Sequence, residues 1–437
     1  MPKGGDLHYH LSGGVYAEDL LNWAAEDDLC IDTERFAILA DMSEAACATE
    51  ESLRPAGEVL RDATLARRLI NAVSMRDFVP ETDWALHDQF FSTFYRMAHT
   101  PKRLGESLAS VVRRAAMQNV SYLEVMDPYA LDFVEWAEET TDAATPQAMY
   151  AEMEAAGLAE RLAATQDRLS RTIDAAVDRK NALLACGSEE AEPGCGVEVR
   201  FLYLALRTRP PAGTFAGFIL GYAMAESSPH FVGLNLAGPE DAPVALNDYE
   251  LHMAMLDFLW QKEGPRSIAL HAGELKLGLV PPRHMRDHIR KAIDIGHARR
   301  IGHGVSIAHE AEVFDLLRRM REAEIAVETN LTSNATLIEY PLAEHPFTLY
   351  RDFGVPTVLS TDDEGVFRTD LTNEYQKAVT LFELEYADLK RLSFDSIRYG
   401  FLAADERRDL TASLERRFRD FEAAVATWPH KAQSGRP

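Results

Sequence analysis

The chain contains no apolar run approaching the roughly 18 residues of a membrane-spanning helix, and no charged-then-apolar leader follows Met1. It reads as soluble, with no membrane span. Basic residues are scarce beside acidic ones: 45 Lys and Arg stand against 70 Asp and Glu, a net charge of -25. That balance argues against long-range attraction to nucleic acid or anionic membranes and suits a neutral or cationic small molecule. Cysteine is scarce too, four residues with no Cys-x-x-Cys spacing, which argues against a thiolate zinc site. Cys30 with Cys47, and Cys186 with Cys195, form two sequence-local pairs. Two short-loop disulfides would imply an oxidising compartment, and four free thiols the cytosol. As the chain stands, without a leader, the expectation is cytoplasmic; export or a periplasmic location follows if Met1 is not the native start and the pairs are oxidised. No Gly-x-Gly-x-x-Gly follows the first strand, which counts against a dinucleotide site.

With 46% apolar residues the chain can bury a large core. Its organising stretch runs from Ser267 to Val305, SIALHAGEL at one end and RIGHGV at the other. Each half is a short apolar run that stops at a His in a Gly-containing turn, as a buried parallel strand does when it ends in a working loop. His271, Glu274 and His303 thus fall at strand ends, with 28 residues between the last two, enough for one helix. Six further apolar runs fit the same pattern: DLHYHLSGG, SYLEVMD, VEVRFLYLALR, FVGLNLAGPED, AVETNLTSN and PTVLSTDDE. Strands are therefore expected near residues 6, 122, 198, 232, 267, 300, 325 and 356, with helical segments between them. Eight such alternations argue for an α/β fold, the closed (β/α)8 TIM barrel, as a single domain over residues 1–437 with its active site at the carboxyl ends of the strands. Residues 17–91 read as a helical insertion after strand 1 with no strand of its own. In the segment HDQFFSTFYRM, Phe90, Phe91, Phe94 and Tyr95 share a helical face, read as core packing in preference to a lid. The pattern from Leu371 to the end is helical, closing on a charged surface helix.

His8 and His10 lie at i and i+2 of the first strand and project to one side, so both can reach one cation. His271 ends the fifth strand and Asp362 the eighth, and a barrel brings such ends around one central spot. Three imidazoles and a carboxylate suit Zn2+ with a position left open for water, whose pKa then falls from 15.7 to roughly 7. His303 can hold or deprotonate that water. Glu274 can donate a proton to a substrate, provided that a buried apolar pocket keeps it protonated at neutral pH. Asp363, adjacent to Asp362 but pointing elsewhere, is left to fix the substrate. Gly238 can offer a backbone N–H at close range because no side chain intervenes.

PKGGDLHYHLSGG, LAGPED, HAGEL, RIGHG, TSN and STDD, in this order, resemble the motifs of the adenosine deaminases of the metal-dependent amidohydrolase superfamily. The resemblance covers Pro2 to about Leu402, and the insertion is similar to that of the adenosine-deaminase-related growth factor branch and its bacterial relatives. It implies one zinc ion per chain at His8, His10, His271 and Asp362, with Glu274 protonating purine N1 as hydroxide attacks C6 and His303 orienting the hydroxide. It further implies that Gly238 donates to N3 and that Asp363 hydrogen-bonds N7. The expected reaction is hydrolytic deamination of adenosine or 2'-deoxyadenosine to inosine or deoxyinosine with release of ammonia; adenine or a 6-substituted adenosine is the alternative substrate. Ser12 stands where the family commonly has an Asp that contacts the ribose 5'-hydroxyl. Glu364 replaces the usual Pro and is expected at the pocket mouth, where it would repel a phosphate, and Met126 replaces a frequent Arg. The fourth strand, LNLAG, lacks the Lys of binuclear relatives, so one metal is expected. The His-x-Glu and Pro-Cys-x-x-Cys pattern of cytidine deaminases is absent. A binding or signalling protein with a vestigial site is the competing reading, opposed by the intact set of chemical residues. Relatives with such insertions are often homodimers, a partner state that the resemblance extends to this chain.

Overall fold

The parallel strands that the sequence predicts are short and lie in two sets of four. β1 (Gly4–His10), β2 (Val120–Asp127), β3 (Glu198–Leu206) and β4 (Phe231–Ala237) pair in that order, as do β5 (Ala269–Ala272), β6 (Arg300–His303), β7 (Ala326–Thr329) and β8 (Thr357–Leu359). Parallel bridges join the sets at both seams, Leu234 to Ile268 and Tyr9 to Asp362, so the two sheets run on into one barrel. At the second seam, His10 N donates to the Asp362 carbonyl (3.1 Å) and Asp362 N to that of His8 (2.9 Å). The seam therefore sets three of the expected ligands side by side. This computed structural model describes residues 1–43, 47, 50–97, 103–127 and 129–428. The helical reading up to the C terminus extends over residues 429–437, and the insertion over 44–46 and 48–49, which lie outside the described residues.

The strands are apolar on both faces because helices cover the outside while side chains fill the inside. Met126, Leu202, Leu204, Ala237 and Ala269 form one interior cluster, whereas Val125, Phe201, Leu234, Leu270 and Val327 belong to the larger strand-to-helix layer. The covering helices include Leu104–Met117, Pro211–Ser227, Pro243–Glu263 and Val313–Glu322. Proline opens the second and third of these, where its missing N–H costs nothing. The helical stretch expected from Thr145 to Ala185 is two helices, Pro146–Ala155 and Leu158–Leu183, the first capped by the Thr145 side chain. The C-terminal helix, Ala404–Ala426, is amphipathic: Leu414 and Phe418 are buried with Leu7, Tyr122 and Val358, and the rest of its surface is charged.

The insertion departs from expectation, because a three-stranded antiparallel sheet lies within it: Leu29–Asp32, Ala37–Ser43 and Leu53–Pro55. The strands are short and interrupted by charge, so no period-2 pattern is long enough to stand out. A turn does mark them: Asp32 Oδ1 accepts the backbone N–H groups of Glu34 (2.9 Å) and Arg35 (3.0 Å). Cys30 is disulfide-bonded to Cys47 and Cys186 to Cys195, so all four thiols are paired.

Candidate active site and metal centre

The strand ladders run up to the site itself, pairing His10 with Met126 and Ala272 with His303, and its side chains project from the strand ends and the loops that follow. His10 Nε2 lies 3.2 Å from His271 Nε2 and 3.3 Å from Asp362 Oδ1, and His8 Nε2 lies 3.5 Å from the same oxygen. His303 joins from β6, its Nε2 4.0 Å from Asp362 Oδ2. Three of the rings, those of His8, His271 and His303, are aimed by their other nitrogen. His8 donates from Nδ1 to Glu328 Oε2 (2.6 Å), and His271 from Nδ1 to Asn235 Oδ1 (2.8 Å), which turns both Nε2 atoms inward. Asn334 Nδ2 donates to His303 Nδ1 (2.9 Å), so this ring carries its proton on Nε2. His303 and Asp362 both hold left-handed backbone, φ 67° and 64°, a conformation that non-glycine residues adopt at a cost and that clusters at working sites.

The donor set fits a divalent cation of the zinc class. His8 Nε2 is buried with no hydrogen-bond partner; the ligand atoms of His8, His271 and Asp362 lie within 4.8 Å of one another, as do those of His10, Asp362 and Asp363. Burial, reinforced by His8, holds His10 down to about 4 and His303 to about 3, and burial with the surrounding imidazoles keeps His271 well below the ordinary value. His10 and His271 are thus neutral, as ligands must be; burial would lower His8 too, but Asp362 and Glu328 raise it to about 10, so a cation bound there displaces a proton. Burial would raise Asp362, but contact with His8, His303 and His10 outweighs it and keeps the carboxylate charged. Glu274 behaves oppositely: burial, with Asp362 and Glu240 near, pushes it well above the usual carboxyl range, the direction that a proton donor needs. Asp363 is raised by burial and by Asp362 in the same way. Glu274 sits in the loop that follows β5, with Oε1 3.3 Å from His303 Nδ1.

The cluster forms the floor of a cavity of about 920 Å3, at the upper end of ordinary ligand pockets. Ser12, Gly238, Glu274 and Asp363 are among the residues that line it. Asp363 reaches the wall because position 13 is glycine: a Cβ there would come within 1.7 Å of its Oδ1. Asp127, which sequence reasoning missed, lines the same wall and is hydrogen-bonded by Ser12; burial pushes its carboxyl up to about 7. The helix Leu86–Arg96 supplies the outer wall through Phe90, Phe91, Phe94 and Tyr95. Phe90 is core, as expected, but Tyr95 is 88% exposed and the face as a whole is a pocket wall.

Glu364 is not at the pocket mouth. It is buried behind β1, accepting from Tyr9 Oη (2.6 Å) and Gln118 Nε2 (2.7 Å), with Arg114 at 3.4 Å. The residue begins the helix Glu364–Phe367, which turns it away from the cavity. Met126 is buried in the barrel, its Sδ accepting from Asn235 Nδ2 (3.1 Å). Sequence reasoning also passed over Glu328, Asn235 and Asn334. A charged or amide residue inside an otherwise apolar strand, as in AVET and VGLNLA, was the available signal for the first two.

The profile of the adenosine deaminase family matches residues 63–417, and the chain belongs to that family. It is similar to an adenine deaminase of Sinorhizobium fredii, 29% identical over 232 residues that make up 53% of this chain and 66% of the relative. It is also similar to an adenosine deaminase of Enterococcus faecalis, 31% identical over 152 residues, 35% of this chain and 42% of the relative. The matched regions thus span just under two thirds, or less, of these relatives' lengths. A zinc-bound amidohydrolase from Burkholderia ambifaria shares the fold, with a TM-score of 0.62 and 18% identity over 98% of this chain and 93% of the other. The profile match begins after β1, so the placement of His8 and His10 rests on the geometry.

Proposed function

We propose that the chain is a zinc-dependent hydrolytic deaminase of 6-aminopurines, acting on adenosine or 2'-deoxyadenosine. The observation that carries this reading is the convergence of three inward Nε2 atoms and Asp362 in one cavity that the buried Glu274 also lines. A zinc ion held by His8, His10, His271 and Asp362 would supply Lewis acidity, bringing the pKa of water to roughly 7. Glu274 donates its proton to ring nitrogen N1, which makes C6 electrophilic. His303 orients the attacking water from Nε2, Gly238 donates its N–H to N3, and the protonated Asp363 donates to N7. The amino group leaves as ammonia, giving the hydroxypurine.

A nucleoside is favoured over the bare base by room and by polarity. The cavity extends well beyond the ring site, and Ser12 with Asp127 offers groups suited to sugar hydroxyls. Adenine is the second reading, because relatives named adenine deaminase match over 232 residues. A nucleotide is disfavoured on a new ground now that Glu364 is turned away. The two arginines on the cavity wall are engaged, Arg103 with Asp27 (2.7 and 2.9 Å) and Arg168 with Asp132 (2.7 Å).

The test is amine release by metal-analysed protein from adenosine, 2'-deoxyadenosine, adenine, AMP and N6-methyladenosine. Release from the nucleosides that stops with a chelator and returns with zinc is expected. Adenine ranking first would replace the nucleoside reading, and silence across the panel with zinc bound would overturn the deaminase assignment. Glu274→Gln should keep zinc and lower kcat by about 10²- to 10⁴-fold.

A further inference from the structure

The ladder of β5 ends at Ala272, so the backbone that carries Glu274 is held by something other than a strand. Glu240, two residues past Gly238 and buried, does the holding. Its Oε2 accepts the backbone N–H of Glu274 at 2.8 Å, and its Oε1 accepts that of Gly273 at 3.1 Å. On the far side, His288 Nδ1 lies 2.6 Å from Oε1 and an Arg207 guanidinium nitrogen 3.8 Å from Oε2. Arg207 also donates to the carbonyls of Leu236 (2.9 Å) and His271 (2.6 Å), tying the end of β4 to the metal-bearing end of β5. The His288 ring is itself fixed, stacked on Tyr249 with centroids 3.7 Å apart. From the opposite side, Ser306 N donates to the Gly273 carbonyl (2.9 Å). Gly273 holds φ 77°, and a Cβ would meet Ile289 Cδ1 at 2.7 Å, so the backbone here packs closely against the helix His288–Asp294.

We propose that Glu240 is a positioning residue for the deamination: its carboxylate, held by His288 and Arg207, clamps the backbone of Gly273 and Glu274 and sets the Glu274 side chain against the substrate. This rests on Glu274 being the proton donor. Both donors of the loop end on one buried carboxylate, so removing its charge frees the one segment whose placement decides proton transfer. A misplacement of about 1 Å there costs on the order of 100-fold in rate.

The experiment is a double-mutant cycle with zinc content and melting temperature recorded for each variant. Glu240→Gln should keep wild-type zinc and a KM within about twofold, while kcat falls about 10- to 100-fold. In the Glu274→Gln background, Glu240→Gln should add less than about twofold, since it acts only through Glu274. A general structural role would lower kcat by the same factor in both backgrounds. That result, or wild-type kcat in Glu240→Gln, overturns the proposal while leaving the donor assignment intact. Wild-type turnover by Glu274→Gln removes the donor assignment and the proposal with it. Should Glu240→Gln fail to fold, His288→Phe keeps the stack on Tyr249 but deletes the N–H; a kcat loss of about threefold to tenfold at unchanged KM is expected. Wild-type kcat there overturns the proposal.

Discussion

His8 is the candidate ligand with the deepest support. Its Nδ1 meets Glu328, whose other oxygen accepts from Arg300 Nε (2.5 Å), and Arg300 Nη2 donates to Glu124 Oε2 (2.5 Å). Glu124 in turn accepts from Tyr122 Oη (2.7 Å) and from the backbone of Phe401 (2.6 Å). A line of charged side chains thus crosses the barrel interior beneath the metal centre, every one of them buried. Burial would push the Glu328 carboxyl up, but Arg300 and His8 outweigh it and hold it below the usual range. The chain's value is directional, since an ionised Glu328 fixes the His8 proton on Nδ1 and leaves Nε2 for the cation. Glu328→Gln should therefore weaken zinc binding by about 10- to 100-fold, read by competition with a chromogenic chelator. It should also destabilise the fold by about 3 kcal/mol, because Arg300 loses one of its two carboxylates. Unchanged zinc affinity in the folded variant would show that His8 is oriented by something else.

The insertion shows how an element remote from the metal shapes the pocket. Its strand Ala37–Ser43 packs against the helix Leu86–Arg96, whose aromatic face forms the outer wall, and the Cys30–Cys47 disulfide closes the same unit. Opening a loop of 17 residues should cost about 3 kcal/mol. Cys30→Ala/Cys47→Ala is expected to lower the melting temperature and raise KM for the preferred nucleoside more than it lowers kcat. Cys186→Ala/Cys195→Ala, whose loop follows the helix Leu158–Leu183 and lines no part of the cavity, should lower the melting temperature and leave KM unchanged. Equal KM in the two pairs would detach the small sheet from the pocket wall. The same contrast explains what was legible in the sequence. The eight barrel strands stood out because each is an apolar run that stops abruptly at polar residues or glycine, and the end residues His8, His10, His271, His303 and Asp362 are where the chemistry gathers. Strands of three to seven residues broken by charge, as in LCID and LRP, carry no comparable period. Glu240, Glu328 and Asp127 were hidden for another reason. Their partners, Glu274, His8 and Ser12, come from other strands, so only the closed barrel brings them together.

At the scale of the whole molecule, 70 acidic residues against 45 basic ones make alkaline pH a burden, and two buried carboxyls add to it. Burial pushes both Asp127 and Glu310 up to about 7; for Glu310, Asp287 adds to the effect, while hydrogen bonds from Ile289 and Arg290 and the Arg290 charge oppose it. The unfolded chain releases these protons near the ordinary carboxyl values, around 4 to 4.5, and the folded chain only near 7. Protons are therefore bound more tightly in the folded state, so this contribution to stability is fully present below about pH 4 and is lost as pH rises through 7. Glu310 isolates the effect. Its Oε1 accepts from Ile289 N (2.7 Å), and its Oε2 has no hydrogen-bond partner. Glu310→Gln keeps the acceptor and abolishes the titration. It should raise stability at pH 8 by about 1–3 kcal/mol and change it little at pH 4, where both proteins are neutral at that position. Denaturant midpoints at the two pH values decide the matter: a gain of equal size at both would mean that packing, not proton release, is what the substitution altered. The metal site adds a limb of opposite sign, because acid protonates the imidazoles that would hold zinc. The window of highest stability should therefore close from both sides of neutrality, and Glu310→Gln should widen it only on the alkaline side.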